Sequence, residues 1–324
     1  MGFIGNRILI TLITLFLVSV LSFASFHIIP GDAALLSLGI EADEAQIADL
    51  RSQWGLDKSI PEQYFSWLGK FVTGNLGNSA RWRGVPVLTL IRDRLPVTFT
   101  LALLSLFFIL LIAVPVALLP LKRGRTILDS LINTLTALNI SMPGFFLGVL
   151  FIWIFGLVFR LFSPGAYIDY RTSAAGFIGY LIFPAFAIAL PNAAILIKFL
   201  RTSISEEWNS NYVRTSIGKG ASQKYTLYRH ILKNACLPAL TIFGMILGEV
   251  FSGSIVMEQV FSIPGIGRLL IASITSRDFL MVETLVVYIA FVVILANTGV
   301  DIAIQVIDPR IRLGTGPGSG LIKS

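Results

Sequence analysis

The side chains that could do covalent chemistry are few. Cys236 is the only cysteine, and His27 and His230 are the only histidines. One cysteine cannot form an internal disulfide, and this set cannot build a multi-histidine or Cys-based metal centre. No Gly-x-x-x-x-Gly-Lys-Ser/Thr phosphate cradle occurs, because Gly218-Lys219-Gly220 lacks the spacing. Neither Gly-x-Ser-x-Gly nor His-Glu-x-x-His is present. The chain is therefore expected neither to hydrolyse ATP by itself nor to act as a membrane hydrolase. What remains is non-covalent. Glu249, Glu258, Glu283 and Asp301 lie in or beside long apolar runs. A charge at membrane depth costs at least about 2.5–3.5 kcal/mol, so such acids face a protein interior or a wet cavity. A substrate pathway or gate is one reading; a paired acid near the interface is the other. Glu249 is nearest a segment centre, which favours the pathway for it, and both readings stand for Glu258, Glu283 and Asp301. Asn139 and Asn192 are further pathway candidates, although amides also join helices to each other.

The elements that must position these groups are membrane helices. Of 324 residues, 55% are hydrophobic and only 13% are charged, about half the charged share of a soluble chain. Six apolar segments of membrane-spanning length follow: 8–29, one within 95–121, one within 130–159, one within 172–197, then 237–260 and 282–304. The first is too long for a signal-peptide core and is read as a retained helix. Pro96, Pro115, Pro143, Pro184, Pro191 and Pro238 punctuate the segments, each removing a backbone donor. Gly144-xxx-Gly148 and Gly244-xxx-Gly248 permit close helix approach. No internal repeat is evident.

Charge sets the orientation. With the N-terminus in the cytoplasm, fourteen basic residues fall inside: Arg7, the Lys122–Arg125 group, seven between Lys198 and Lys233, and Arg310, Arg312 and Lys323. Only Arg160, Arg171, Arg268 and Arg277 fall in the short outer loops. The excess of cytoplasmic cations places both termini inside and explains the net charge of +7 without any nucleic-acid partner. Four regions result: a first transmembrane helix, 1–29; an ordered extracytoplasmic loop, 30–94; a five-helix core, 95–313, with a basic cytoplasmic loop at about 201–236; and a Gly/Ser/Pro-rich flexible tail, 314–324.

The outer loop has helical spacing at 42–54. Ser59-Ile60-Pro61-Glu62 reads as a capped helix start. Tyr64, Trp67, Leu68 and Phe71 would form one apolar face of that helix, and 87–95 a separate amphipathic stretch at the membrane surface. In the inner loop, Gly220 suits a sharp or left-handed turn between two short helices, and Ser222 can cap the second. Its cations suit an acidic or polar partner surface, or anionic lipid headgroups.

The inner loop runs Tyr212-Val213-Arg214-Thr215-Ser216-Ile217-Gly218-Lys219-Gly220-Ala221-Ser222 and continues through Arg229-His230 to Leu237-Pro238. This resembles the cytoplasmic loop of bacterial ABC importer permeases of the dipeptide/oligopeptide/nickel family. Collinear matches extend the resemblance over nearly the whole chain: His27-Ile28-Ile29-Pro30-Gly31-Asp32, Gly74-Asn75-Leu76-Gly77-Asn78-Ser79, Arg94-Leu95-Pro96-Val97-Thr98, Glu258 to Gly267, and Asp308-Pro309-Arg310-Ile311-Arg312. The long outer loop resembles that of the B-type permease. Thr215-Ser216-Ile217, Asn75, Gln259 and Leu119-Pro120-Leu121 depart from the family pattern.

The resemblance implies an all-α membrane protein with six transmembrane helices and the type I ABC importer permease fold. It implies half of a translocation path for short peptides. It also implies a second, homologous permease, two ATPase subunits that bind ATP and Mg, an extracytoplasmic substrate-binding protein and a home in the bacterial inner membrane. Tyr212, Arg214, Gly218, Gly220, Ser222, Arg229 and His230 would then form the ATPase-coupling loop, and Trp54, Tyr64 and Trp67 would contact the binding protein. The alternative is a secondary transporter driven by an ion gradient through Glu249 and Asp301.

Overall fold

The computed structural model describes residues 2–28, 43–79, 81–82, 84–119 and 127–307. The Pro30-Gly31-Asp32 motif, the Lys122–Arg125 cations, the 308–312 motif and the 314–324 tail lie outside the described residues, as does the side chain of His27. Helices dominate, and among the described residues the only β pairing is an isolated antiparallel bridge between Asn78 and Pro86. The helices are α1 (Gly2–Ile28), α2 (Glu44–Trp54), α3 (Ile60–Val72), α4 (Val87–Leu118), α5 (Ile127–Ser141), α6 (Gly144–Phe151), α7 (Ala174–Trp208), α8 (Asn211–Gly218), α9 (Gln223–Thr226), α10 (Leu232–Val260), α11 (Ile266–Thr275) and α12 (Phe279–Ile307). Two π-helical segments, Ile152–Val158 and Leu227–Ile231, extend α6 and join α9 to α10.

Among the described residues five helices are long and apolar enough to cross a membrane, or six if the bent pair Ile127–Ser141 and Gly144–Val158 counts as one span. The predicted third segment is therefore not one helix. It bends by 100° between Ser141 and Gly144, because Pro143 lacks a donor and disfavours helical backbone at Met142. The predicted surface stretch at 87–95 is instead the first part of α4, which continues through Pro96. Burial explains the continuity: Val87 and Ile91 sit in a core with Ile266, Leu269, Met281 and Leu285, and that packing outweighs the hydrogen bond lost at Pro96.

The chain divides into two compact units. In the first, built from 100–262 with short terminal pieces, α7 packs against α5, α6 and α10. Its inner surface is alanine-rich; Ala185, Ala187, Ala189 and Ala193 are buried, which lets the helices approach closely. The two glycine motifs behave as their spacing suggests. A Cβ on Gly148 would lie 2.8 Å from Met257 Sδ, and one on Gly244 would lie 2.8 Å from Val300 Cγ1. Tyr180 pins the far end of α10: its hydroxyl donates to the Phe261 carbonyl at 2.6 Å and accepts from Gly165 N at 3.0 Å.

The second unit, 5–99 with 263–295, holds α1, α2, α3, α11 and the adjoining parts of α4 and α12. Thr98 Oγ1 accepts from Ile266 N at 2.9 Å and so caps the start of α11, a short helix that periodicity did not reveal. Buried Asp278 accepts from Ser79 Oγ and holds the 77–87 turn against the α11–α12 junction. The capped start expected at Ser59 is present, with Ser59 N donating to Glu62 Oε2 at 3.2 Å.

Candidate functional site

The basic loop expected on the inner side folds as helix, turn, helix. Ser210 precedes α8, and its hydroxyl donates to the Glu207 carbonyl at 2.7 Å. Tyr212 donates to Glu207 Oε2 at 2.5 Å. Burial, reinforced by that carboxylate, raises the Tyr212 phenol above its ordinary pKa. Val213, Thr226 and Ile231 point inward and are almost wholly buried.

Between α8 and α9 the chain reverses at Gly220, whose φ is +85°. Gly220 N donates to Ile217 O at 2.9 Å and Ala221 N to Ser216 O at 3.2 Å. That pair of bonds is the Schellman closure of a helix, in which the left-handed position favours glycine. Ser222 then caps α9, accepting from Tyr225 N at 3.2 Å. Ser216 Oγ and Thr226 Oγ1 meet at 3.0 Å and bind the two short helices to each other.

The outward surface of this element is cationic. Arg214, Lys219, Lys224, Arg229 and Lys233 are all exposed, as is His230, and no acid occurs between Trp208 and Gly248. Gly218 and Gly220 are exposed in the turn itself. Tyr225 and Tyr228 also stand exposed, at 55% and 59%, with Tyr225 edge-on to His230 at 5.8 Å. Exposed aromatics among arginines are the side chains that anchor protein interfaces. Sequence reasoning missed both tyrosines; their spacing of three in an otherwise polar, basic segment was the available signal. All seven residues assigned to this loop thus belong to one local structure, joined directly to α7 and, through the π segment, to α10.

The membrane candidates are more dispersed. Glu249 is exposed on α10, whereas Glu258, nine residues on, is completely buried. Asn192 is buried in α7, where its Nδ2 donates to Ile188 O at 2.9 Å and its Oδ1 has no hydrogen-bond partner. Asn139 bonds back to Leu135 O at 2.9 Å. Glu283 is buried near the start of α12. Asp301 lies in α12, with its side chain outside the described residues.

The structure adds an open groove of about 620 Å³ along α5, lined by Asp129, Ser130, Asn133, Thr134, Ala137, Leu138 and Ser141. Asn139 is not part of this lining, and the i, i+4 spacing of the polar residues was the unused signal. At the groove's end Asp129 forms an ion pair with Arg201, which also donates to Val116 O at 3.4 Å. Arg201, counted above among loop cations, is therefore a buried tie between α5, α7 and the end of α4.

Of the residues assigned to the outer face, Tyr64 and Trp67 turn toward α1. Tyr64 is 8% exposed and bonded to Ser19, so it packs the second unit rather than lying open. Trp54 ends α2, and its side chain is outside the described residues.

Comparison with known proteins agrees with this architecture. The family described as "Binding-protein-dependent transport system inner membrane component" matches residues 106–313, and its N-terminal counterpart matches residues 1–102. A probable peptide ABC transporter permease protein, y4tP, of Sinorhizobium fredii is 33% identical over 96% of this chain and 99% of its own length. The oligopeptide transport system permease protein AppB of Bacillus subtilis is 32% identical over the same shares, as is the dipeptide transport system permease protein DppB of Lactococcus lactis. The fold resembles a chain of the MetNI methionine ABC transporter in an inward-facing conformation, with a TM-score of 0.55 and 18% identity, over 67% of this chain and 96% of that one. A multi-pass helical chain that carries both matching regions over nearly its full length belongs to the inner-membrane components of binding-protein-dependent transport systems.

Proposed function

We propose that this chain is one of two permease subunits of an ATP-driven importer of short peptides in the bacterial inner membrane. The observation that carries the proposal is the α8–Gly220–α9 element, an acid-free cationic ridge with two exposed tyrosines, built rigidly onto the ends of two membrane helices. Separate ATPase subunits, which bind ATP and Mg, engage this ridge. Their closure on ATP moves α7 and α10 and switches the path between two states, which requires only that ATP-bound subunits bind one state more tightly. An extracytoplasmic binding protein delivers the peptide to the face opposite the ridge, and both termini lie in the cytoplasm. A peptide substrate is favoured by the names of the similar permeases. Glu249 and the groove along α5 are the polar surfaces available to line the path.

The test is Gly220→Pro. Proline cannot adopt φ +85° and removes the donor to Ile217 O. The variant is expected to insert in the membrane at normal levels but to lose stimulation of ATP hydrolysis by loaded binding protein, together with peptide uptake. Normal uptake would sink the assignment, and uptake abolished only by collapsing an ion gradient would favour the secondary-transporter alternative.

A further inference from the structure

The thirteen-residue helix α3 is too short to cross a bilayer, yet its contacts fix it at membrane depth. Tyr64 lies with its hydroxyl 2.8 Å from Ser19 Oγ of α1. Phe16 and Phe23 meet the Tyr64 ring edge-on at 6.3 and 5.4 Å, and Phe23 lies 6.2 Å from Trp67. The described apolar span of α1 is Gly5–Ser25 within a helix that continues to Ile28, so Ser19 sits at least about 9 Å inside its end at 1.5 Å per residue. The span itself is about as long as the hydrocarbon layer is thick. The line of contact between α3 and α1 therefore lies below the membrane surface.

The rest of α3 fits that depth. Pro61, Phe65, Leu68 and Val72 share one helix face by their spacing, and Phe65 and Val72 are 66% and 77% exposed. On α1, Leu17 and Leu21, which flank the Ser19 level, are 53% and 67% exposed. Glu62, Ser66 and Lys70 form a separate polar stripe along α3. A helix that is apolar on two sides and polar on one narrow edge matches an interface, not bulk water.

The geometry points to α3 as a helix lying in the plane of one leaflet, the leaflet at the C-terminal end of α1, with its Phe65–Leu68–Val72 face covered by lipid acyl chains. The occupant is lipid because the face lies at hydrocarbon depth beside exposed leucines of a membrane-spanning helix. The polar stripe is turned to the headgroups.

The test uses the full chain with whatever subunits co-purify, in phosphatidylcholine nanodiscs and in a Cys236→Ala background. Phe65→Cys, Leu68→Cys and Val72→Cys, with Glu62→Cys and Ser66→Cys as controls, carry a nitroxide label. Collision rates are measured with oxygen, which concentrates in acyl chains, and with a water-soluble nickel chelate. The oxygen-to-nickel ratio is expected to be several-fold higher at 65, 68 and 72 than at 62 and 66. Equal ratios, with nickel reaching all five, would place α3 in water and overturn the inference. So would labels at 65 and 72 shielded from both reagents, which would mean a protein partner covers the face. Val72 is the most exposed position, so Val72→Cys and quenching of Val72→Trp by brominated acyl chains keep the test open if Phe65→Cys fails to assemble.

Discussion

Two tyrosines in the first unit, with ring centroids 6.1 Å apart, should respond oppositely to the same substitution. The Tyr180 hydroxyl bridges Gly165 N and the Phe261 carbonyl, whereas the buried Tyr167 hydroxyl has no hydrogen-bond partner. Tyr180→Phe strands two backbone groups. Gly165 is exposed and recovers a bond to water. Phe261 is 1% exposed, so its carbonyl bears most of the loss. A hydrogen bond contributes about 0.5–1.5 kcal/mol and a stranded buried acceptor costs about 1–3 kcal/mol. Because the stranded-acceptor cost already contains the lost bond, Tyr180→Phe should cost about 1–3 kcal/mol, a roughly 5- to 150-fold shift in the folding equilibrium. Tyr167→Phe removes a hydroxyl that was desolvated without compensation, so its effect should lie between neutral and about 1 kcal/mol stabilising. Reversible unfolding in mixed micelles, followed by tryptophan fluorescence, measures both. Equal losses in the two variants would refute the reasoning, because they would mean that ring packing, common to both, decides and the hydrogen bonds do not.

The remaining expectations can be checked with the same preparation. Removing either member of the mostly buried Arg201–Asp129 pair should cost about 3–5 kcal/mol, while Arg201→Leu with Asp129→Leu together should cost less than the two single changes added, read as a double-mutant cycle. Gly148→Leu should destabilise by about 1–3 kcal/mol through overpacking against Met257, and Gly148→Ala by less because the methionine end can shift. Ser222→Ala should weaken the start of α9 by about 0.5–2 kcal/mol, seen as faster hydrogen exchange at Tyr225, whose N–H the serine accepts. Burial pushes the Tyr167 phenol from 10.0 up to about 12. Below pH 10 both the folded and unfolded chains hold that proton. Between 10 and about 12 only the unfolded chain releases it, so stability should fall as pH rises through that window, and Tyr167→Phe should flatten the fall.

The sequence was most legible where one local rule acts alone. The apolar runs became α1, α4, α7, α10 and α12; Ser59 with Glu62 opened α3; and the glycine of the inner loop became the left-handed turn at Gly220. It was least legible where distant packing overrides a local signal. The 87–95 stretch read as separate from the segment that follows, but the burial of Val87 and Ile91, nine and five residues before Pro96, carries α4 through. Pro143 looked like a kink within one span, yet it separates two helices bent by 100°. The Arg201–Asp129 tie joins residues 72 apart in sequence, and no periodicity relates them. The residues proposed for coupling cohere because they are local. The acids proposed for the path are not local, and their placement depends on how far α10 turns between Glu249, which is exposed, and Glu258, which is enclosed.

The length of α7 has a mechanical consequence. Its 35 residues make a rod of about 52 Å, while the hydrocarbon layer occupies about 30 Å. From Pro191, where a backbone hydrogen bond is missing, to Trp208 the rod runs about 25 Å without another proline. A pivot of about 5° at Pro191 would therefore swing Trp208 by about 2 Å. Trp208 is three residues before the first residue of α8, so the helix would act as a lever with two nearly equal arms of about 25 Å on either side of Pro191. A side-chain-sized stroke at the basic ridge would then reach the buried, alanine-rich part of α7 as a rotation of only a few degrees.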